Sequence, residues 1–380
     1  MPGRADLTVA VDVTSLIGAR TGVGVLVAEL VEGLARRDDT ALRAFAVTWR
    51  GRGALGETLP PGAALTTRPM AARPLRWAWS RGDRPAIETW TGPVDVVHGP
   101  NFVVPPARRA AEVVTVHDLT AWRFPELVDA ATAAYPEMVA RAVDRGAWVH
   151  TPSRWVADEV IEAVGADPER VVAVAHGAPD LGAARRGRDA ATGHRLAGGE
   201  RYVLAVGTVE PRKDLPGLVA AFDAVAAEDR DVRLVLAGPD GWGAEALDRA
   251  VQRARHGGRV VRLGWVDDDA RAALLRGATV VAYPSVYEGF GLVPLEAMAA
   301  GVPVVGTRAG AIPEVVGDAA ELVEVGDIDG LAGALARVLT DGARREELVA
   351  AGHRRRGRFS WATTVAGIVD LYRTAVPTAG

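Results

Sequence analysis

The chain has no cysteine, and among its 44 basic residues there is a single lysine, Lys213. Without cysteine there can be no disulfide, no thiolate-ligated zinc and no thiol nucleophile, and the composition fits a reducing compartment. No window approaches 18 consecutive apolar residues, so no transmembrane helix is expected. The opening MPGRADLTVAVDV enters a strand pattern at once, and no secretory leader is expected there. A formal charge of −4 argues against a general nucleic-acid-binding role. The seven histidines show no metal-ligand spacing, and no G-x-S-x-G elbow occurs. The expected location is cytoplasmic.

What is present is a long, ordinary globular composition. At 380 residues the chain exceeds what one core usually serves, so two domains are the default. Short β-branched runs such as LTVAVDV, VVTVHDL, AWVHTPS and VVAVAHG alternate with Ala/Leu/Arg helical patterns in the first half. YVLAVGT, RLVLAGP, RVVRLGW, TVVAYPS and VPVVGT do the same in the second. Strands apolar on both faces, separated by amphipathic helices such as Val25–Arg37, Leu215–Ala227 and Asp268–Gly277, predict doubly wound parallel sheets. Two series of five or six strands predict two Rossmann-like α/β domains. The stretch Pro179–Glu200 is rich in Gly, Ala and Arg without apolar period and reads as a linker. The boundaries are then 1–185 for the first domain, 186–200 for the linker and 201–358 for the second. Residues 359–380 form a final helix capped by Ser360.

Ligands of open α/β sheets sit beyond the carboxyl ends of the strands, which directs attention to four strand-to-helix turns. In the first, Gly22 and Gly24 precede a helix and would let an anion approach the backbone, though a plain tight turn would look the same. In the second, Arg212 and Lys213 follow YVLAVGT ahead of Asp214, a plausible N-cap. Two cations there suit a diphosphate, and a solvated surface pair is the alternative. The third turn carries Glu288, Gly289, Phe290 and Gly291, with Glu296 on the helix that follows. Ionised carboxylates in such a place can accept hydroxyls of a sugar. The fourth puts His117 and Asp118 at a strand end. The triplet Asp267–Asp269 has the carboxylates of a metal site, but it immediately precedes a helix and reads as a cap.

Taken in order, GVG at 22–24, VHGPNFVVPP, VGTVEPRKDLPGLVAAF, LGWVDDDARAALL and SVYEGFGLVPLEAMAAGVPVV resemble the retaining glycosyltransferases of family 4. The likeness spans nearly the whole chain and is densest from Tyr202 to Asp327. It implies the GT-B fold, two Rossmann-like domains facing across a cleft, with the last helix packing back on the first domain. It also implies site roles. Arg212 and Lys213 would grip the donor diphosphate, with the backbone of Gly289, Phe290 and Gly291 and the turn Gly22–Gly24 assisting. Glu288 would hold the transferred sugar, and His117 would face that sugar from the first domain. Glu296 would bind the ribose, with Trp265, Val266 and Leu292 along ribose and base. The resemblance implies a nucleoside-diphosphate sugar as co-substrate, GDP-mannose ahead of UDP-sugars, no metal or other cofactor, and front-face attack without a protein nucleophile. Asp214 stands where relatives often carry Asn or Gly. Val25-Leu26 replaces a frequent Arg-Tyr.

The acceptor is expected to be a glycan, a lipid-linked or a small molecule. Segment 68–85 carries five arginines, one aspartate, Trp77 and Trp79, which suits peripheral contact with an anionic membrane, or else tryptophans folded inward. Competing readings are a nucleotide-sugar epimerase of the same fold and a non-catalytic nucleotide-sugar-binding protein. A phosphorylase would need a lysine for pyridoxal phosphate, and the lone lysine is already assigned to phosphate.

Overall fold

The computed structural model describes residues 7–18, 22–49, 51–56, 58–66, 68–128, 130, 132–178 and 186–376. The chain divides into two compact units, 1–177 together with 360–380, and 178–359. In the first, β1 (Leu7–Asp12), β2 (Thr40–Phe45), β3 (Ala64–Leu65), β4 (Val96–Gly99), β5 (Ala111–Thr115), β6 (Trp148–Thr151) and β7 (Val171–Ala173) form a parallel sheet of order β3-β2-β1-β4-β5-β6-β7. In the second, β8 (Tyr202–Val206), β9 (Arg233–Ala237), β10 (Val260–Gly264), β11 (Val280–Tyr283), β12 (Val304–Thr307) and β13 (Ala320–Val323) run parallel in the order β10-β9-β8-β11-β12-β13.

Alternation along the strands explains why both faces are covered. Leu204, Val235, Val281 and Val304 enter one apolar cluster of the second unit, while Val203, Leu234, Val280 and Val305 enter another. Successive side chains of a strand point to opposite faces, so a run of valines and leucines demands helices on both. The seven strands of the first sheet exceed the five or six expected. The extra ones were hidden by chemistry: β2 carries Arg43, β3 has two residues, and β4 holds the buried His98.

The stretch expected as a linker, 186–200, is also different. Arg186–Ala197 is a helix of the second unit, packed on the helix Asp268–Gly277; residues 179–185 lie outside the described set. A Cβ on Gly193 would stand 2.2 Å from the carbonyl oxygen of Ala273, so the two backbones meet nearly bare. His194 Nε2 donates to Gly277 O at 3.2 Å. An interface made by glycine and alanine leaves no large-residue period to read.

Ser360 does cap the final helix, Trp361–Ala375, accepting from Thr363 N at 3.1 Å. Its Val365, Ile368, Val369 and Tyr372 complete the core of the first unit with Val9, Val11, Leu26 and Leu30. Tyr372 OH donates to His98 Nδ1 (2.6 Å), His98 Nε2 to Thr115 Oγ1 (2.8 Å), Thr115 to His150 Nδ1 (2.9 Å) and His150 Nε2 to Val174 O (3.1 Å). The terminal carbonyl can only accept, which sets the direction of the whole chain. Burial keeps both imidazoles neutral, moving His150 down to about 4.

Candidate active site

In the second sheet the connections diverge between β8 and β11, the topological switch where open α/β sheets take ligands. An open crevice of about 420 Å³ lies there, lined by Gly207, Lys213, Gly238, Arg262, Tyr283 and Ser285 among others. The segment after β8 forms a tight turn, Pro211–Lys213, which ends on Asp214 in the left-handed region (φ 42°). Asp214 then caps the helix Leu215–Glu228, its carboxylate accepting from Gly217 N at 3.1 Å. A reversal of this kind throws the two preceding side chains to the sheet side of the helix start.

There they meet Glu288. Lys213 Nζ lies 2.5 Å from Glu288 Oε1 and Arg212 Nη1 lies 2.8 Å from Oε2, so one carboxylate is held by two cations. Arg212 Nη1 also donates to Tyr287 O (3.0 Å), and Val286 N donates to Arg212 O (2.9 Å), tying the two turns together. Lys213 further donates to Tyr283 OH at 3.1 Å and stands 4.7 Å from the centre of that ring. The three charged side chains are at most 16% exposed. Burial alone would push Glu288 up, but Arg212 and Lys213 outweigh it and hold the carboxyl down at about 2. It is therefore ionised throughout the physiological range.

The loop from Ser285 to Gly291 is pinned from behind. Ala311 N donates to Glu288 O at 2.9 Å, and Thr307 Oγ1 donates to Ser285 O. Gly291 starts the helix Leu292–Ala300 at φ 109°, where a Cβ would lie 2.7 Å from Ile312 Cδ1. Phe290 turns its ring inward against Phe359 at 5.9 Å, so only its backbone can serve a ligand. Leu292 is half-buried at the head of this helix, and Glu296, one turn further on, is buried.

Glu296 does not join the Glu288 cluster. It bonds Arg271 Nη2 from the helix Asp268–Gly277. Burial raises its pKa to about 7, with Arg271 opposing and Asp268 reinforcing the rise. The pairing with Arg271 was not foreseen, because the two residues lie on separate helices and share no local pattern. Asp267 caps that first helix, accepting from Ala270 N at 2.8 Å, as expected of the aspartate triplet. Trp265, 64% exposed, and the half-buried Val266 follow β10.

The remaining candidates belong to the first unit. Gly22 and Gly24 do not precede the helix as expected; they form its first turn, Gly22–Ala35, and Gly24 is buried. Gly22 is exposed at the start of that turn. His117 follows β5, with Nε2 donating to Pro100 O at 2.8 Å and the ring edge-on to Phe102. Burial lowers its pKa, which leaves Nδ1 as an acceptor on a neutral ring.

Two family descriptions divide the sequence along these units. Residues 20–179 match Glycosyltransferase Family 4, and residues 189–355 match Glycosyl transferases group 1. The O-antigen chain mannosyltransferase B of Escherichia coli is 31% identical over 305 residues, covering 79% of this chain and 77% of that protein. The chain belongs to glycosyltransferase family 4. A D-inositol 3-phosphate glycosyltransferase of Rhodococcus erythropolis is 34% identical over 279 residues, 69% of this chain and 62% of that one. Anabaena HepE, solved in complex with UDP and glucose, superposes with a TM-score of 0.73 at 19% identity, covering 97% of this chain and all of HepE. The family-4 transferase thus has the GT-B fold, built of two parallel-sheet Rossmann-like units.

Proposed function

We propose that this glycosyltransferase moves a hexose, with retention of configuration and without a metal, from a nucleoside-diphosphate sugar to a hydroxyl-bearing acceptor, either a glycan, a lipid-linked or a small molecule. The observation that carries the reading is the Arg212–Lys213–Glu288 cluster at the switch-point crevice. Two cations held side by side match the two charges of a diphosphate, and the carboxylate between them is fixed in the ionised form that accepts sugar hydroxyls. In the reaction the anomeric carbon–oxygen bond breaks and its electron pair passes to the diphosphate, where Arg212 and Lys213 stabilise it. The acceptor hydroxyl bonds to the anomeric carbon on the same face and gives its proton to the departing phosphate oxygen. Glu296 binds the ribose diol, and Trp265, Val266 and Leu292 line ribose and base. The backbone of Gly289, Phe290 and Gly291 assists at the phosphates, and His117 offers Nδ1 to the sugar.

GDP-mannose is the preferred donor. The VEPRKDLP segment and the mannosyltransferase relative favour mannose, whereas the fold shared with the UDP-bound HepE says nothing of the base at 19% identity. A thermal-shift panel of GDP, UDP, ADP and their sugars tests the donor, and chromatographic release of nucleoside diphosphate tests transfer. Stabilisation without release would make the protein a binding module. No shift with any of them would remove the transferase reading.

Segment 68–85 bears on location. Its helix Ala72–Trp79 turns Trp79 inward and leaves Trp77 61% exposed with Arg81 stacked on it at 4.6 Å. Peripheral attachment to an anionic membrane would therefore rest on Trp77 and its arginines, not on both tryptophans. No helix among the described residues is long and apolar enough to cross a membrane.

A further inference from the structure

β8 and β11 flank the switch point of the second sheet, and the chain brings a cation and a phenol together there. β8 leads into the turn that carries Lys213, and β11 ends on Tyr283. In the sequence Tyr283 marks only the end of a strand. Residues of β11 alternate between the two faces: Val280 and Ala282 enter one apolar cluster, Val281 and Tyr283 the other, with Leu204, Phe290 and Ile312. The ring of Tyr283 is therefore part of the core, and the residue is 4% exposed.

Phenylalanine would fill that space equally well, and a buried hydroxyl is unfavourable unless a partner answers it. The partner is Lys213. Its Nζ donates to Tyr283 OH at 3.1 Å and lies 4.7 Å from the ring centre, within cation–π reach. Burial first, then the charge of Glu288, push the phenol well above 10, and Glu296 adds to the rise from the helix Leu292–Ala300. Tyr283 is thus neutral. The charged groups that face the ammonium are Glu288, with Oε1 at 2.5 Å, Arg212 and Glu210. Burial and Arg212 lower the Lys213 pKa, whereas Glu288 and Glu210 oppose the fall.

An ammonium has three N–H donors. One goes to Glu288 and one to Tyr283, which leaves the third for a ligand. The two anchors differ in kind. Glu288 offsets the charge that it holds, and the same carboxylate is assigned to sugar hydroxyls once a donor is bound. Tyr283 accepts without a charge of its own, so the group it holds keeps its full positive charge. One anchor would let the flexible lysine stem swing, and a second on a ring set in the core restricts Nζ to one place.

We propose that Tyr283 is a positioning residue of the leaving-group site: its hydroxyl fixes the Lys213 ammonium beside the diphosphate and leaves the charge free for the departing oxygen. That role rests on the transferase reading, whereas the hold on Lys213 does not.

Lys213 is the only lysine in the chain, so protein grown on isotope-labelled lysine gives a single lysine side-chain signal by NMR. Its titration is followed in wild type, Y283F and Y283L. Without the neutral acceptor the proton affinity of Lys213 is expected to fall roughly tenfold in Y283F. Y283L gives up the ring as well and should show at least as large a fall. Release of GDP from GDP-mannose supplies the second readout. In Y283F kcat should drop roughly tenfold with little change in donor KM, because the leaving-group charge develops only as the bond breaks. Added to K213A, the same substitution should lower kcat no further. An unmoved lysine titration in both variants would overturn the proposal, and so would an equal drop in kcat from Y283F in wild type and in K213A. Should no nucleoside diphosphate be released at all, the transferase reading falls and the titration still decides the hold. Should GDP be released while the titration stays unmoved, the hold falls and the transferase reading stands.

Discussion

The two sheets share a plan and differ in how they treat charge at the switch point. In the second unit Arg212 and Lys213 are closed onto Glu288, and Arg271 onto Glu296. In the first unit Asp12 is held by a neutral hydroxyl, and Arg76 is held apart from it. Deeper in, the first unit buries neutral histidines in a chain of single hydrogen bonds. A site for a ligand of fixed chemistry, the nucleoside diphosphate, can afford tightly bonded charges that the ligand rearranges. The contrast is between charges closed onto one another in the second unit and charges held apart in the first.

Breaking the paired side should cost most. Glu288→Gln leaves two largely buried cations facing each other, and a drop in stability on the order of 3 kcal/mol is expected from removing one member of such a group. Calorimetric unfolding should show that loss, and GDP should raise the midpoint of the variant by more than that of the wild type, because the diphosphate supplies the missing charge. An equal shift in both proteins would mean that the anion does not sit between these cations. Next in size is Lys213→Ala, for which the loss of one charge-assisted contact to the leaving group corresponds to about 1.5–3 kcal/mol. That is roughly 10- to 150-fold in turnover. Lys213→Arg should recover only part of it, since a planar fork does not replace a point charge beside Tyr283.

The two glutamates give opposite pH dependence, which sharpens the comparison further. Glu288 is held at about 2 against an ordinary 4.5, so the stability it contributes is complete above 4.5 and is lost as pH falls toward 2. Glu296 is raised to about 7, so its contribution is complete below 4.5 and is lost as pH rises through 7. On the ribose role proposed for Glu296, which calls for the ionised carboxylate, GDP affinity is expected to improve as pH passes upward through about 7. Arg271→Met should move that rise to higher pH; an unmoved profile would show that Arg271 does not govern Glu296. The smallest effect is expected at Trp77→Ser, within about 0.5 kcal/mol of wild type because the ring is exposed. Co-sedimentation with anionic vesicles should nevertheless fall, and unchanged sedimentation would discard the membrane contact.

Much of the second unit was legible in the sequence because its signals are local. Valine-rich strands, Asp214 and Asp267 as caps, and glycines around Glu288 all declare themselves within a few residues. The closure of Arg212 and Lys213 onto Glu288 joins residues 75 apart or more in sequence and became visible only in three dimensions. Arg271 escaped for the same reason: it sits on a helix whose local pattern shows only an exposed arginine. The helix Arg186–Ala197 escaped for another. Its contact face is glycine and alanine, and a hydrophobic period cannot register residues that pack by having almost no side chain.

The final helix carries a consequence for how the chain is made. Val365, Ile368, Val369 and Tyr372 belong to the core of the first unit, although the whole of 178–359 is synthesised before them. The second unit is contiguous in sequence and can close its sheet as it leaves the ribosome. The first must wait, with Leu26, Leu30 and Val31 short of their covering face and His98 short of Tyr372, until residue 372 has emerged. The half whose translation begins first is thus the half whose core is completed last.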